Sequence, residues 1–201
     1  QNLSTAIREA FKHRGYVLLT TGFFVCGFHV AFISVHFPAY VKDLGMEPQV
    51  GALSLSLIGL FNIFGSLLSG WVGKHWPMKS GLSFIYAARA AVIYWLLVAD
   101  KTPETIYLFA ALMGLLWLST VPLTTGIVAK VFGLRYLATL FGFVFLSHQL
   151  GSFIGIWMGG WLFDNYGSYD AMWWAGIALG LVATLVHWLI DEKPLERVAQ
   201  A

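Results

Sequence analysis

Three histidines and one arginine stand inside stretches that are otherwise apolar, and these four residues are the best suited to chemistry. His29 and His148 fall near the centres of two hydrophobic stretches, His36 follows His29 by seven residues, and Arg89 lies nine residues into a third stretch. A neutral imidazole donates and accepts hydrogen bonds and titrates near neutral pH. We therefore predict that the histidines bind a carboxylate or hydroxyl ligand or carry a proton. Hydrogen bonding between helices is the alternative role for each of them.

Four further side chains are candidates for the same ligand site. Gln149 follows His148 directly, and Asn62 lies on a polar stripe of its own helix. Trp117 and Thr120 precede Pro122 within five residues, and unpaired carbonyls and hydroxyls near a proline often line a cavity. An indole can form the wall of a site for a small organic ligand. Packing or hydrogen bonding between helices is the alternative for all four.

Arg89 needs a partner because an unpaired guanidinium at mid-membrane costs roughly 2.5–3.5 kcal/mol on insertion scales. No acid of this chain lies at the same depth. A bound anion, another polypeptide or the carbonyls of a helix end must therefore complete it. We favour a structural role that ties helices together over an anion-binding role.

The elements that position these residues are six hydrophobic spans. The chain is 58% hydrophobic and 11% charged, whereas soluble proteins have about 25% charged residues. Each span is long enough to cross a bilayer as a helix. The sequence thus predicts an all-α, multi-pass integral membrane protein with spans at about 16–41, 49–72, 80–99, 104–129, 137–163 and 170–190.

The distribution of Lys and Arg predicts the orientation. An even number of spans places both termini on one side of the membrane, and that side carries nine basic residues against two, Lys42 and Lys101, on the other. Because basic residues concentrate in cytoplasmic segments, we predict cytoplasmic termini in the cell (inner) membrane. The nine are Arg8, Lys12, Arg14, Lys74, Lys79, Lys130, Arg135, Lys193 and Arg197.

The chain divides into three parts around a six-helix transmembrane bundle at 16–190. Residues 1–15 predict an amphipathic helix on the cytoplasmic membrane surface, with Ser4 as its N-cap. Residues 191–201 predict a charged cytoplasmic tail that frays. Pro38 and Pro122 occupy matching places in the first and fourth spans, which suggests a 3+3 inverted repeat.

The fifth span carries a stripe of small residues at four-residue spacing. Such a stripe forms a smooth groove along a helix and permits close approach of another backbone. The stripe alone does not identify the helix that approaches, nor what His148, about 100° round the helix, faces. The stripe consists of Ser147, Gly151, Gly155 and Gly159.

Several function classes have no support in the sequence. There is no nucleophile–base pair, metal-ligand spacing or phosphate-binding loop, so we expect no enzyme activity, metal or cofactor. The basic residues follow the cytoplasmic rule and do not suggest nucleic-acid binding. Cys26 is the one cysteine, which excludes an internal disulfide, and its apolar helix predicts a buried thiol.

The segment at 70–79, GWVGKHWPMK, resembles the cytoplasmic loop signature of the major facilitator superfamily. Gly70, Lys74 and Lys79 fit this signature, whereas Gly73 stands where an acid is common. The resemblance implies that the charge-relay latch of the family is weakened or altered here. The whole chain is similar to the carboxyl-terminal six-helix half of the monocarboxylate and oxalate/formate porter-like branch, through FPAY at 37–40, HQLG at 148–151 and GWLFD at 160–164.

This resemblance implies a fold and a function. The chain is expected to be one half of a secondary transporter that moves a small organic solute, such as a monocarboxylate, by alternating access, as a symporter or antiporter. An amino-terminal six-helix half or a second copy would be the partner. The first, second, fourth and fifth helices would line the cavity, which favours their polar residues over Arg89 as solute ligands. We therefore predict that the groove of the fifth span faces a helix of the missing half, outside the chain, and that His148 faces the solute cavity. The alternative function is a half-size module that self-associates or scaffolds another membrane protein without transport.

Overall fold

The computed structural model describes residues 2–199, which form helices joined by short turns, and these residues include no β-strand. The helices are α1 (Leu3–Lys12), α2 (Arg14–Asp43), α3 (Pro48–His75), α4 (Met78–Val98), α5 (Pro103–Leu116), α6 (Thr120–Phe132), α7 (Leu137–Tyr166), α8 (Asp170–Trp188) and α9 (Glu196–Ala199).

Six spans are long and apolar enough to cross a membrane, which confirms the predicted all-α architecture. Five of them are single helices, and the sixth is the pair formed by α5 and α6. The predicted continuous helix over 104–129 is therefore interrupted, and the chain is not helical from Trp117 to Ser119. Proline causes part of this break, because Pro122 has no N–H to donate to the carbonyl of Leu118. That carbonyl accepts the N–H of Val121 at 2.9 Å instead.

Helix ends follow local chemistry. The side chain of Thr102 caps α5 by accepting from the N–H of Thr105, and Pro103 occupies the first turn. Gly133 and Gly167 end α6 and α7 with φ values of 81° and 66°, which favour glycine. These signals act within a few residues of the helix ends at which they stand.

The helices pair in a pattern with internal symmetry. The most extensive contacts join α2 to α7, α3 to α5, and α4 to α8. In terms of spans, the first packs on the fifth, the fourth on the second, and the third on the sixth. This pattern is unchanged when the first three spans are exchanged with the last three, as in a 3+3 inverted repeat.

Glycines at corresponding positions of the first and fourth spans allow close packing of α2 on α7 and of α5 on α3. A Cβ on Gly27 of α2 would lie 1.9 Å from the carbonyl oxygen of His148 in α7. A Cβ on Gly114 of α5 would lie 2.8 Å from the carbonyl oxygen of Ile58 in α3. The backbones therefore cross almost in contact, as small residues permit in membranes.

The core consists of two apolar clusters with a polar layer between them. One cluster lies toward the termini and includes Phe23, Leu82 and Leu140, and the other includes Phe109 and Trp173. On each of three spans, α4, the α5–α6 pair and α7, one polar residue lies between the part that belongs to the first cluster and the part that belongs to the second. These three polar residues form the polar layer. These residues are Arg89, Thr120 and His148.

The terminal segments pack against the bundle. The N-cap of α1 is Asn2 and not Ser4, because the side chain of Asn2 accepts from the N–H of Thr5 at 2.9 Å. The fraying of the tail at 191–201 stays a prediction, and its residues 200 and 201 lie outside the described residues. Arg197 forms an ion pair with Glu9 at 2.7 Å, which connects the tail to α1.

Candidate functional site

Arg89 sits at the break between α5 and α6. Its Nη2 donates to the carbonyl of Leu116 at 2.7 Å and to that of Trp117, while its Nε donates to Leu116 at 3.1 Å. In an unbroken helix these carbonyls would accept from residues 120 and 121. Helix-end carbonyls, one of the three partners considered for Arg89, thus accept from its Nε and Nη2, whereas its buried Nη1 has no hydrogen-bond partner among the described residues. The side chain is 0% exposed.

A thiol and a hydroxyl lie beside this guanidinium. Sγ of Cys26 is 3.7 Å from Nη2 of Arg89 and 3.2 Å from Oγ1 of Thr120. Both Cys26 and Thr120 are fully buried, and Trp117 is 8% exposed. The prediction that Thr120 and Trp117 line a solute cavity is therefore not supported by their positions, because they form the interior of the break.

His148 lies at the outer edge of the polar layer. Its ring is next to the thiol of Cys26 and stacks on the ring of Phe145, with centroids 5.2 Å apart and planes 9° apart. Phe145 is 42% exposed, whereas His148 is 8% exposed. His148 therefore contacts the buried polar layer on one side and a surface aromatic ring on the other.

Gln149 extends this site to the molecular surface. Its Oε1 is 3.3 Å from Nδ1 of His148, and its side chain is exposed. Within the described part of α7, it is the one exposed polar residue between Gly142 and Asp164. An amide at this depth needs a polar environment, because a polar group in hydrocarbon without a partner costs free energy.

Asn62 is half-buried and supports the helix break from α3. Its Oδ1 accepts the N–H of Leu118 at 3.0 Å and the hydroxyl of Ser66 at 3.3 Å. Ser69, two turns further along α3, donates to the carbonyl of Ser119. The oxygen of Asn62 thus has a structural role, because it accepts from the N–H of Leu118 at the helix break.

His29 does not face a cavity, which corrects the prediction made from its depth. Its side chain is 2% exposed, and its Nε2 hydrogen-bonds to the carbonyl of Gly176 in α8 at 2.8 Å. Gly176 and Gly180 leave room for the imidazole between α2 and α8. His29 therefore ties the first helix to the sixth.

His36 lies near the opposite end of α2 from the termini and is half-buried. Its Nε2 is 3.0 Å from the carbonyl of Ile156 in α7, and its ring is 5.3 Å from that of Tyr169. Burial, and then the carboxylates of Asp43 and Asp164, raise the pKa of Tyr169. His36 is about two turns of helix, roughly 10 Å, beyond His29, so the two histidines do not share one site.

The small-residue groove of α7 is filled within the chain. A Cβ on Gly151 would lie 2.0 Å from the carbonyl oxygen of Phe24, and one on Gly155 would lie 2.7 Å from that of Phe28. Gly159 faces the ring of His36, and Ser147 donates to the carbonyl of Thr20 at 2.7 Å. The prediction that this groove meets a helix outside the chain is therefore wrong. The face that remains open carries large side chains, including Leu146, Leu150, Phe153 and Trp157.

The loop signature is contacted by a carboxylate that the sequence pattern did not reveal. Glu192, from the segment after α8, is 8% exposed; its Oε2 accepts from Nζ of Lys130 at 3.0 Å, and its Oε1 accepts the backbone N–H of Lys79. The loop has Gly73 where an acid is common, and a carboxylate instead reaches the loop from Glu192, which is 113 positions after Lys79. Lys74 is exposed, and a Cβ on Gly70 would meet open space.

Two residues of this arrangement had weak signals in the sequence. Cys26 could have been connected to Arg89 only through knowledge of which helices pack together. Glu192 stands in a charged segment that is indistinguishable by composition from a solvated tail. Among the described residues, no cluster of His, Cys, Asp or Glu could hold a metal ion.

These features define a six-span integral membrane protein with a polar layer at mid-depth that reaches one surface at Gln149. Residues 19–200 match the Major Facilitator Superfamily, and the chain belongs to that superfamily.

Its curated relatives carry the names of transporters. The chain is 27% identical over 187 residues to an uncharacterized MFS-type transporter, YcxA, of Bacillus subtilis (strain 168), covering 89% of this chain and 45% of that protein. It is 25% identical over 186 residues to monocarboxylate transporter 13 of Bos taurus, covering 90% and 42%. It is 26% identical over 149 residues to monocarboxylate transporter 12-B of Danio rerio, covering 72% and 31%. The chain thus spans less than half the length of these relatives.

Proposed function

We propose that this chain is one six-helix half of a secondary active transporter that moves a small organic solute by alternating access. The solute class is a monocarboxylate, a proposal supported by the names of the relatives and by imidazole and amide groups that suit a carboxylate. The partner is an amino-terminal six-helix half, and the chain's length relative to its relatives supports this. Both termini lie in the cytoplasm of a cell whose inner membrane holds the protein, as the distribution of basic residues indicates.

Gln149 is the observation that carries this proposal. It is an exposed amide on a face of α7 that is otherwise apolar, and it contacts a histidine that belongs to the buried polar layer. A polar group placed so is best explained by a solute cavity between two halves. We propose that His148 and Gln149 bind the solute, with His36 and the free amide nitrogen of Asn62 as further contacts.

The same face supports the two-half architecture. Large apolar side chains are exposed on α3 and α7, among them Leu60, Phe64, Phe153 and Trp157. Rocking of two halves requires each half to move as a rigid body, and the close glycine crossings favour rigidity within this one. The alternative of a self-associating module rested on the glycine groove of α7. Because α2 occupies that groove, it is not open to a second copy.

Transport by the full-length protein in proteoliposomes tests the proposal. Small monocarboxylates are expected to be accumulated or exchanged, and the matched neutral amides are expected not to be. Gln149→Leu keeps the size of the side chain and removes its hydrogen bonds, so the KM for the solute should rise about tenfold, as for the loss of one hydrogen bond. Phe153→Leu, on the same face, is the control and should leave KM unchanged.

Two results would contradict the proposal. One is transport with an unaltered KM by both Gln149→Leu and His148→Ala, which would move the solute site elsewhere. The other is equal uptake of carboxylates and neutral amides, which would remove the solute class.

A further inference from the structure

A second site lies at the end of the bundle that holds the loop signature, far from Gln149. A pocket of about 480 Å³ opens there between the turn that joins α3 to α4, the end of α6 and the segment after α8. Four lysines and a histidine line it, against two acids. The basic residues are Lys74, His75, Lys79, Lys130 and Lys193.

The two acids of this pocket are already engaged. Glu192 accepts from Lys130 and from the backbone N–H of Lys79. Asp191 accepts the backbone N–H of Lys193 at 3.1 Å. The acids therefore organise the loop and leave an excess of positive charge facing the pocket.

Unused ammonium donors remain on the lysines. Nζ of Lys79 donates to the carbonyls of Ile190 at 2.8 Å and Trp188 at 3.3 Å, which fixes its position and leaves one of its three protons. Lys74 and Lys193 are exposed, and neither forms an ion pair within residues 2–199. The pocket thus combines the fixed ammonium of Lys79 with the exposed side chains of Lys74 and Lys193, an arrangement suited to a phosphate group.

The pocket opens at the level of the membrane surface. It lies where α3 ends at His75, α4 begins at Met78 and α8 ends at Trp188. Three exposed tryptophans, Trp71, Trp76 and Trp188, surround this level at 52%, 56% and 62% exposure. Tryptophan concentrates at the boundary between hydrocarbon and headgroups. A ligand phosphate in the pocket would therefore lie at the depth of lipid headgroups.

We propose that this pocket binds the phosphate headgroup of an anionic membrane lipid. Its acyl chains would extend along the apolar surface beside Trp188, while Lys74 and Lys193 close over the phosphate. Basic pockets between transmembrane helices bind anionic headgroups, and each Lys or Arg near an anionic membrane surface contributes about 1 kcal/mol of attraction. The site is separate from the solute site, and it does not depend on which solute is moved.

Retention of lipid by the full-length protein tests this proposal. The protein is incorporated into nanodiscs of phosphatidylcholine with or without phosphatidylglycerol, released, and analysed by native mass spectrometry. Wild type is expected to retain one phosphatidylglycerol. Lys74→Gln combined with Lys193→Gln removes two exposed cations, and retention should weaken about 30-fold.

Two further variants sharpen the test. Lys12→Gln combined with Arg135→Gln removes the same charge from exposed positions on the same side outside the pocket, and should retain the lipid as wild type does. Asp191→Asn keeps an acceptor for the Lys193 N–H and removes one negative charge, so this variant should retain more phosphatidylglycerol than wild type does.

Three outcomes would overturn the proposal. Equal loss in the two double variants would indicate diffuse attraction to the surface. Failure of wild type to retain phosphatidylglycerol would remove the site. Saturation of the same pocket by inorganic phosphate or glycerol 3-phosphate in detergent, with no preference for the lipid, would make it a site for a soluble anion.

Discussion

The guanidinium of Arg89 is bound to the carbonyl of Leu116 through both Nε and Nη2, at 3.1 and 2.7 Å. This contact joins the third span to the break in the fourth. A charged group and an interrupted helix would each be unfavourable at mid-membrane depth. Together they offset part of this cost, because the break supplies acceptors for Nε and Nη2 of the arginine, while Nη1 has no partner among the described residues.

Arg89→Met is expected to destabilise the full-length protein. The substitution keeps an unbranched apolar stem but leaves the carbonyls of Leu116 and Trp117 without their donor, at a cost of about 2 kcal/mol. Thermal unfolding in detergent should show a lower midpoint than wild type. Arg135→Met, at an exposed position, is the control; equal midpoints for the two variants would mean that the break does not depend on the guanidinium.

Gly151→Ala is expected to separate α7 from α2. The added Cβ would lie 2.0 Å from the carbonyl oxygen of Phe24, so the backbones must move apart, at about 1–3 kcal/mol. Gly142→Ala is a matched control on the same helix, since a Cβ there meets open space. The free energy of unfolding should fall for Gly151→Ala and stay level or rise for Gly142→Ala, and the reverse order would refute the packing described here.

Glu192 is expected to hold the loop end of the bundle together, and two substitutions separate its contacts. Glu192→Gln loses the ion pair with Lys130, which is 45% exposed, so screening limits the loss to below about 1 kcal/mol. Glu192→Ala also removes the acceptor for the Lys79 N–H and should cost about 1 kcal/mol more.

Hydrogen exchange at the start of α4 measures this effect. Protection of residues 78–82 should fall in the order wild type, Glu192→Gln, Glu192→Ala. Glu196→Gln, an exposed acid of the same segment, should match wild type. Undiminished protection in Glu192→Ala would show that the loop is held by other contacts.

Cys26 is expected to be covered by His148. The thiol is 0% exposed and the imidazole lies between it and the surface, so N-ethylmaleimide should label it slowly in the folded protein. His148→Ala removes the cover and should speed labelling by at least about tenfold, equivalent to roughly 1.4 kcal/mol in opening free energy. The rate is read by mass spectrometry of the peptide that contains Cys26.

Gln149→Ala is the matched control for this labelling, because the side chain is a surface neighbour of His148. Labelling should stay slow in this variant. Equal acceleration by both substitutions would point to general loosening of α7, and His148 would then not be a specific cover.

The sequence predicted the spans well because each is set by local features. Runs of apolar residues, Pro103 in a first helical turn, and glycines such as Gly133 and Gly167 act within a few residues of their own positions. The need of Arg89 for carbonyl acceptors was also predictable, since it follows from the cost of burying a charge. The break that satisfies it was indicated only by Pro122.

The roles of the polar residues were harder to predict because they depend on the neighbours of each helix. His29 and His148 have similar depths, yet one hydrogen-bonds to Gly176 in α8 and the other borders the surface. The depth of a residue in the membrane follows from its position in a span. Whether its side chain is buried or exposed depends on which helices pack against that span. The groove at Gly151 shows the same limit, because close packing was predicted but its partner, α2, was not.

The sequence by itself determined that this chain crosses the membrane six times, that its basic residues gather at one end, and that α7 approaches another backbone closely. Composition and spacing act along the chain, so they suffice for these features. Only the tertiary structure decided that α2 fills the groove, that Arg89 closes the broken fourth span, and that Glu192 joins Lys79 across 113 residues. Those contacts arise between segments distant in sequence, where pairing is selected by the fit of whole helix surfaces.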